Sequence, residues 1–364
     1  MISNMKPPEF HKGRGALSNP EGRFESLRKE VSDDGWNTTL EPEDLPPLET
    51  VVRPDPSRSI ISRNQSPDIP FSQSINPYKG CEHGCIYCYA RPSHAYLNLS
   101  PGLDFETKLF YKVDAAALLD AELRRPGYRV SSIMLGANTD PYQPVEKQYQ
   151  VTRSILETLL RFHHPVSVIT KSTLITRDLD LLTELAQERL VTVMVSITTL
   201  DDGLKRSLEP RTASPRGRLK TVETLARAGV PVGVMTAPII PMINDAEMER
   251  ILELAAEAGA CSAGYVLLRL PYELKDLFKE WLAAHYPLKA EHVMSLIRQS
   301  RGGQEYQAGF GTRMRGTGEY ADLIAQRFAL ACKRLGLGLG RRMGVDPTRF
   351  RVPPADGQLS LWGD

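Results

Sequence analysis

The stretch Cys81-Glu82-His83-Gly84-Cys85-Ile86-Tyr87-Cys88-Tyr89-Ala90 contains three cysteines in a C-x3-C-x2-C arrangement. The other two cysteines of the chain, Cys261 and Cys332, lie far away in sequence. Isolated buried cysteines have no reason to cluster so tightly, whereas thiolates that bind one metal centre do. We therefore predict a metal centre on this loop. Its ligands are Cys81, Cys85 and Cys88.

The kind of metal is indicated by the ligands that the sequence does not supply. A structural zinc site is usually closed by four cysteine or histidine ligands, and no second pair follows the loop. His83 is a candidate fourth ligand, but reaching the same ion from inside a three-residue gap would strain the loop. A disulfide framework does not fit three cysteines in a chain without a sign of secretion. A [4Fe-4S] cluster normally takes four cysteines, so three leave one iron open. The cluster is the favoured interpretation, and zinc is the alternative.

The cysteine spacing, with the aromatic Tyr87 directly before the last cysteine, resembles the signature of the radical S-adenosylmethionine (SAM) superfamily. The resemblance implies a [4Fe-4S] cluster whose open iron chelates the amino and carboxylate groups of SAM. It also implies an electron donor such as flavodoxin or ferredoxin, because one electron from the cluster splits SAM into methionine and a 5'-deoxyadenosyl radical. That radical takes a hydrogen atom from the substrate. The chain is therefore expected to be an enzyme.

The 364 residues are 41% hydrophobic and 24% charged, with a formal net charge of +1. This composition allows one large domain with appendages, and the near-neutral charge argues against a general polyanion-binding protein. The sequence has no run of about 18 apolar residues and no signal-peptide core. We therefore expect a cytoplasmic protein that does not bind a membrane.

Short β-branched runs alternate with longer helical patterns from about residue 74, which is typical of parallel β/α units. The predicted strands are residues 74–78, 131–136, 166–170, 192–197, 232–236 and 263–268. This rhythm predicts an α/β fold, specifically an incomplete (β/α)6 TIM-like barrel. The predicted segments are an extended N-terminal arm over 1–70, the barrel over 71–287, a C-terminal helical extension over 288–336 and a flexible tail over 337–364.

In such barrels the functional residues follow the carboxyl ends of the strands. Ser196 suits the ribose hydroxyls of SAM, and Lys171 suits its carboxylate and sulfonium region. The alternatives are a satisfied strand end for Ser196 and a solvated side chain for Lys171. The other candidates for cofactor binding are Tyr87, Gly136, Asn138, Asp140, Ala237 and Pro238.

Within the superfamily, the sequence is similar to the spore photoproduct lyase-like branch, also labelled DNA repair photolyase-like. The similarity covers about residues 76–240 and rests on the motifs Thr139-Asp140, Thr170-Lys171, Ser196-Ile197, Glu209-Pro210-Arg211-Thr212, Gly217-Arg218-Leu219 and Ala237-Pro238-Ile239. It implies a lyase-like or repair-like reaction on DNA or another nucleic acid, in which Tyr87 and Tyr89 are catalytic and relay the radical. Ala137-Asn138 replaces the cysteine that completes the relay in the lyase, which argues against thymine-dimer reversal.

A basic run follows the fourth predicted strand, and Glu209 is the acid within it. It consists of Lys205, Arg206, Arg211, Arg216, Arg218 and Lys220. One interpretation is a solvated helix face. The other is an anion site for the cofactor carboxylate or a nucleic-acid phosphate, with Arg218 as a cofactor-binding residue. Arg91, His94 and Tyr96, which follow the cysteines, are candidates for facing the substrate.

Two other functions stay open at this point. The first is a non-catalytic zinc or iron-sulfur module that recruits partners to DNA. The second is a radical SAM enzyme that acts on a protein or a small metabolite.

The chain ends in Gln358-Leu359-Ser360-Leu361-Trp362-Gly363-Asp364. Apolar residues at a terminus are unusual unless something binds them, although a disordered end is the simpler interpretation. The pattern is similar to the Gln-Leu-Ser-Leu-Phe peptide by which bacterial DNA-repair and replication proteins dock on the sliding clamp. The clamp is therefore a predicted partner. Its contacts are Gln358, Leu359, Leu361 and Trp362.

Deletion of residues 358–364 is expected to abolish binding to the sliding clamp, because it removes every apolar group of the motif. Isothermal titration calorimetry with the purified clamp measures the affinity. A chain that lacks only Gly363 and Asp364 is the matched control and should bind normally. An unchanged affinity of the longer deletion would rule out the link.

Overall fold

A computed structural model gives the structure of the protein and describes residues 11–24, 48–338 and 343–354. The clamp-like motif at 358–364 lies outside these residues, so the clamp stays a predicted partner. No helix in the described ranges is long and apolar enough to cross a membrane.

The described residues contain ten strands. In chain order β1 to β10 are Val51–Asp55, Ser62–Arg63, Gln73–Ile75, Tyr78–Lys79, Lys108–Lys112, Ile133–Leu135, Val166–Thr170, Val191–Ser196, Val232–Ile239 and Ser262–Leu267. The large sheet has the order β10-β9-β8-β7-β6-β3-β2. Its strands are parallel except for β2, which pairs antiparallel with β3 at the edge. Six parallel strands placed in chain order confirm the predicted incomplete barrel.

The first predicted strand, residues 74–78, is shorter than expected. It ends at Ile75, and after Asn76-Pro77 the chain leaves the barrel. Proline cannot donate to a ladder, which favours this break. Tyr78–Lys79 instead pairs antiparallel with β5 in a second sheet of order β1-β5-β4, which the sequence did not predict. The cysteine loop starts directly after this small sheet.

Eleven α-helices lie in the described part of the chain. They are α1 Leu103–Thr107, α2 Ala115–Leu123, α3 Glu146–Tyr149, α4 Val151–Arg161, α5 Leu179–Gln187, α6 Asp202–Leu208, α7 Pro215–Arg227, α8 Met248–Glu257, α9 Leu274–His285, α10 Ala290–Gln299 and α11 Glu319–Leu335. Helix α4 buries Ile155, Leu156 and Leu159, whose three- and four-residue spacing forms one apolar face. Helix α7 begins with Pro215 after Ser214, whose hydroxyl caps the Gly217 N–H.

Two hydrophobic cores and one small cluster around Cys81 hold the described elements together. The larger core lies between the barrel strands and their helices and includes Val193 and Val234. The smaller core joins α9 and α10 to the cysteine loop through fully buried Trp281 and Ile86. The Trp281 Nε1–H also donates to the Ser207 carbonyl at 3.0 Å. The cysteine loop is therefore part of a packed core.

The side of the open barrel is closed by a loop after the last helix of the small core. Residues 309–315 lie along β10, where the Leu267 N–H donates to the Met314 carbonyl at 2.9 Å. From the opposite edge, Asp68 accepts the Gly311 N–H at 2.6 Å and forms an ion pair with Arg313. This contact connects β10, at one edge of the large sheet, with the segment between β2 and β3 at the other edge.

Candidate active site

Arg91 holds the cysteine loop in place. Its guanidinium donates to the carbonyls of Cys85 at 2.9 Å and Gly84 at 3.2 Å, and it pairs with Glu106 at 2.5 Å. Neither Arg91 nor Glu106 is exposed. A buried cation is stable only where its donors are satisfied, so these bonds fix the course of the loop. Arg91 therefore does not face the substrate, contrary to the sequence-based expectation.

The N-terminal arm supports the same loop. The Glu106 carboxylate accepts the backbone N–H groups of Gly15 at 3.0 Å and Ala16 at 2.9 Å. A Cβ atom on Gly15 would lie 1.8 Å from the Gly84 carbonyl oxygen, so a larger residue does not fit. Arg14 adds a bond to the Glu106 carbonyl at 3.0 Å. The arm is therefore a structural part of the site.

The three thiols lie close enough to affect one another. Cys81 and Cys85 are buried, and Cys88 is half-buried. Burial, followed by Asp140 and the two neighbouring cysteines, raises the pKa of Cys81 well above its ordinary value. Burial, followed by Glu209, raises the pKa of Cys85 to about 12. Because metals bind thiolates, a metal on this loop would displace protons.

Asp140 joins the ends of β6 and β7 to the cysteine loop. His83 lies 3.4 Å from its carboxylate. The carboxylate also accepts the Thr170 hydroxyl at 2.7 Å and the N–H groups of Lys171 at 2.8 Å and Tyr142 at 2.9 Å. Burial acts to raise the pKa of Asp140, but His83 and these donors outweigh it and lower the pKa to about 2. Both carboxylate oxygens of Asp140 are therefore engaged by protein groups, and its role in cofactor binding stays a prediction.

Glu209 is a second buried carboxylate that several side chains contact, and no role was predicted for it from the sequence. It accepts the hydroxyls of Tyr87 and Thr198, and it forms an ion pair with Arg218. Burial acts to raise the pKa of Glu209, but Arg218 and Lys171 outweigh it and lower the pKa to about 2. One feature of the sequence could have indicated Glu209: it is the single acidic residue within the basic run.

Two predicted site residues are directed into this buried network. Arg218 is 1% exposed, and besides Glu209 it donates to the Ser196 carbonyl at 2.9 Å. It therefore does not reach the mouth of the barrel as a cofactor ligand. The hydroxyl of Tyr87 likewise points at Glu209, so Tyr87 supports the loop from within.

The basic run does not form one surface. Lys205 donates to the Pro210 carbonyl at 3.0 Å, Arg211 pairs with Glu82 at 3.1 Å, and Lys220 pairs with Glu223 at 2.9 Å. These partners separate the cations, and Arg218 is buried. The structure therefore gives neither a continuous anion site nor a uniformly solvated face.

Lys171 is the cation at the centre of the site. Within the described residues its ammonium group forms no hydrogen bond or ion pair, and it lies 5.9 Å from the centroid of the Tyr87 ring. Burial acts to lower the pKa of Lys171, but Cys85, Glu209 and Asp140 outweigh it and raise the pKa. The group is therefore charged at neutral pH and free to bind an anion.

Tyr89 lies at the open rim, and 46% of the residue is exposed. Its hydroxyl donates to the carbonyl of Ala137, at the end of β6. Gly136 has a φ of 92°, and a Cβ atom there would lie 2.4 Å from the Ile169 carbonyl, so the chain turns here only with glycine. Asn138 is half-buried beside Ser93, with Nδ2 and Oγ 3.4 Å apart. Gly136, Asn138 and Tyr89 therefore share one edge.

The ends of β8 and β9 carry the remaining candidates. Ser196 is buried, Ala237 is half-buried and Pro238 is buried. Asn244, which the sequence did not single out, donates to the carbonyls of Thr198 at 2.8 Å and Pro238 at 2.9 Å. Asn244 therefore ties the two strand ends together.

Comparisons with known proteins indicate the same kind of protein as the cysteine loop does. The family model of the radical SAM superfamily matches residues 75–255. An uncharacterized protein of Mycobacterium tuberculosis is 39% identical over 233 residues, which cover 64% of this chain and 68% of that protein. The chain belongs to the radical SAM superfamily. It is an enzyme of this class. An uncharacterized protein of Methanocaldococcus jannaschii is 28% identical over 60% of this radical SAM chain and 78% of its own length.

A solved structure shares the fold of this radical SAM enzyme. It is a spore photoproduct lyase variant with bound AdoMet and dinucleoside spore photoproduct. The TM-score is 0.56 at 16% sequence identity, with 80% of this chain and 81% of that chain covered. The match supports the predicted likeness in architecture.

The superfamily implies a [4Fe-4S] cluster and SAM, and the donor set of this enzyme fits the cluster. Three thiols share one loop, and the candidate fourth ligand His83 faces Asp140 instead. Among the described residues, no three His, Cys, Asp or Glu side chains are arranged to hold a single metal ion. Cys81, Cys85 and Cys88 are therefore the residues that would hold the cluster, without a fourth protein ligand from His83.

Replacement of Arg91 by Gln is expected to lower the free energy of unfolding by about 3–5 kcal/mol, because Glu106 becomes an unpaired buried charge. Chemical denaturation measures this loss. The double variant R91M/E106Q should recover part of it, since no buried charge is left. Replacement of Arg227, which is 76% exposed, by Gln should have little effect. Equal losses for R91Q and R91M/E106Q would contradict the role of the pair.

Glu209 is expected to make stability depend on acid pH. Its pKa is about 2 in the folded chain against 4.5 for an ordinary glutamate, so its contribution is complete above 4.5 and disappears as the pH falls towards 2. The difference in unfolding free energy between the wild type and E209Q should therefore shrink over this range. A difference that stays constant with pH would show that the carboxylate does not gain its charge stabilisation from the fold.

Proposed function

We propose that this chain holds a [4Fe-4S] cluster on Cys81, Cys85 and Cys88 and uses it to cleave SAM reductively and abstract hydrogen from a nucleic-acid substrate. The observation that carries the proposal is the loop of three thiols, beside which the Lys171 ammonium group forms no hydrogen bond or ion pair within the described residues. When bound, the cluster supplies the electron for cleavage at its open iron. The protein supplies binding, orientation and charge.

The residues of the rim divide this work. Lys171 holds the carboxylate of SAM because its ammonium group is charged and has no protein partner in the described chain. Ser196 lies at the carboxyl end of β8, where its hydroxyl suits a ribose hydroxyl. The backbone at Gly136 and Ala237, both half-buried, suits the amino group and adenine. Asp140 and Glu209 keep Lys171 charged and in place.

Tyr89 is the proposed catalytic residue of the chain. It is the exposed member of the predicted tyrosine pair, and its hydroxyl contacts Ala137, in the stretch that replaces the cysteine of the lyase. A phenol at this position is suited to give a hydrogen atom to the substrate radical: its O–H bond would break as the substrate C–H bond forms. One electron from the proposed flavodoxin or ferredoxin and one proton would then restore the phenol. Tyr87, whose hydroxyl binds Glu209, keeps the loop in place for this step.

A nucleic-acid substrate is favoured by two observations. The solved lyase that shares the fold carries a dinucleoside photoproduct. Tyr89 presents an exposed aromatic face at the mouth of the barrel, and such faces stack on bases. The replaced cysteine favours a reaction other than thymine-dimer reversal. A protein or metabolite substrate is the alternative, and the sliding clamp and a flavodoxin or ferredoxin remain proposed partners.

Anaerobic reconstitution tests the cluster and the chemistry together. The wild type should bind about four irons and, with reductant and SAM, release 5'-deoxyadenosine. The variant C85A should lose both properties, because it removes a ligand from the core of the loop. The variant C261A is the matched control and should keep both, since Cys261 lies at the start of β10, away from the loop. One bound zinc and no 5'-deoxyadenosine would favour the non-catalytic module.

A further inference from the structure

Arg269 differs from the other sheltered arginines near the site. Arg91, Arg218 and Arg301 each donate at least four hydrogen bonds to carbonyl, carboxylate or hydroxyl oxygens. Arg269 makes one hydrogen bond in the described chain, from Nη1 to the sulfur of Met314 at 3.4 Å. Its Nε atom is buried and has no partner. A buried N–H donor without a partner carries a desolvation cost that an anion would remove.

The surroundings of Arg269 add positive charge and no acid. Within the described residues no carboxylate lies within ion-pair distance of it. The buried Arg301 is close enough that burial, followed by Arg269, lowers the pKa of Arg301 to about 10. The arginine pair therefore creates a positive potential at this end of β10.

Arg269 lies at the end of the barrel where the proposed reaction takes place. It follows β10 by two residues, at the carboxyl ends of the barrel strands. Its guanidinium carbon lies 5.4 Å from the centroid of the Tyr89 ring, and Tyr89 in turn contacts Ala137 at the end of β6. The rim thus carries two cations, on Lys171 and on Arg269, that form no ion pair within the described residues.

We propose that Arg269 binds a phosphate of the substrate next to the exposed face of Tyr89, on which the adjoining base stacks. The proposal rests on the nucleic-acid class of the proposed function and names the contacts that recognise it. Lys171 serves the carboxylate of SAM, so Arg269 is the cation left for a second oxyanion. A planar guanidinium offers two parallel donors to a phosphate, and an aromatic face binds a base without regard to sequence.

Binding of a short fluorescein-labelled single-stranded DNA to the reconstituted enzyme tests this subsite by anisotropy. The variant R269Q should bind the DNA about tenfold more weakly, which equals about 1.4 kcal/mol of binding free energy. The slope of the logarithm of its affinity against the logarithm of the salt concentration should also become smaller by about one. The variant R269K should recover part of the affinity because it keeps the charge and loses the planar fork. The matched control R125Q removes an exposed arginine between α2 and β6, at the opposite end of the strands, and should bind normally.

Competition identifies the anion. Inorganic phosphate should displace the DNA from the wild type, and acetate at the same ionic strength should not. Displacement by acetate alone would assign the subsite to a carboxylate and overturn the phosphate proposal. Equal affinities of R269Q and R125Q would overturn it as well.

The experiment separates this inference from the proposed function. A wild type that releases 5'-deoxyadenosine but does not bind the DNA would overturn the phosphate subsite and leave the radical chemistry intact. A wild type that binds the DNA through Arg269 but releases no 5'-deoxyadenosine would support the subsite and contradict the proposed reaction.

Discussion

The buried ion pair between Arg91 and Glu106 is the contact on which the site depends. Arg91 binds the carbonyls of the cysteine loop, and Glu106 binds the backbone of the N-terminal arm at Gly15. A buried pair adds little net stability, because desolvation offsets its attraction, but losing one partner is costly. The pair therefore acts mainly by specifying one course for the loop. The three thiols are thereby held in place by contacts within the protein.

Features that repeat along the chain were predictable. Five of the six parallel strands lie close to their predicted ranges, because burial on one face leaves a period in the sequence, whereas the first ends early at Ile75. The cysteine spacing identified the loop for a similar reason, since a metal needs several ligands near one point. The rule that parallel strands end at a common edge correctly placed Asn138 and Lys171 on one rim.

The direction of a side chain was not predictable from its type. Arg218 and Asp140 have the charges that a cofactor site needs, yet each is turned towards a protein partner. Glu106 and Asn244 were missed because their contacts join residues distant in sequence, as between Glu106 and Gly15, 91 positions apart. The small sheet of β1, β5 and β4 depends on the same kind of remote pairing. Such pairs leave no local pattern.

The close contact between Gly15 and Gly84 has a consequence for the order in which the site can form during synthesis. A nascent chain releases the arm from the ribosome first, but Gly15 has no partner until Gly84 and Glu106 have also emerged. Glu209, which orders the loop through Tyr87, is translated later still. The loop therefore reaches its final course only after the chain has been synthesised past Glu209, and a metal that arrived earlier would meet thiols that are not yet held in place.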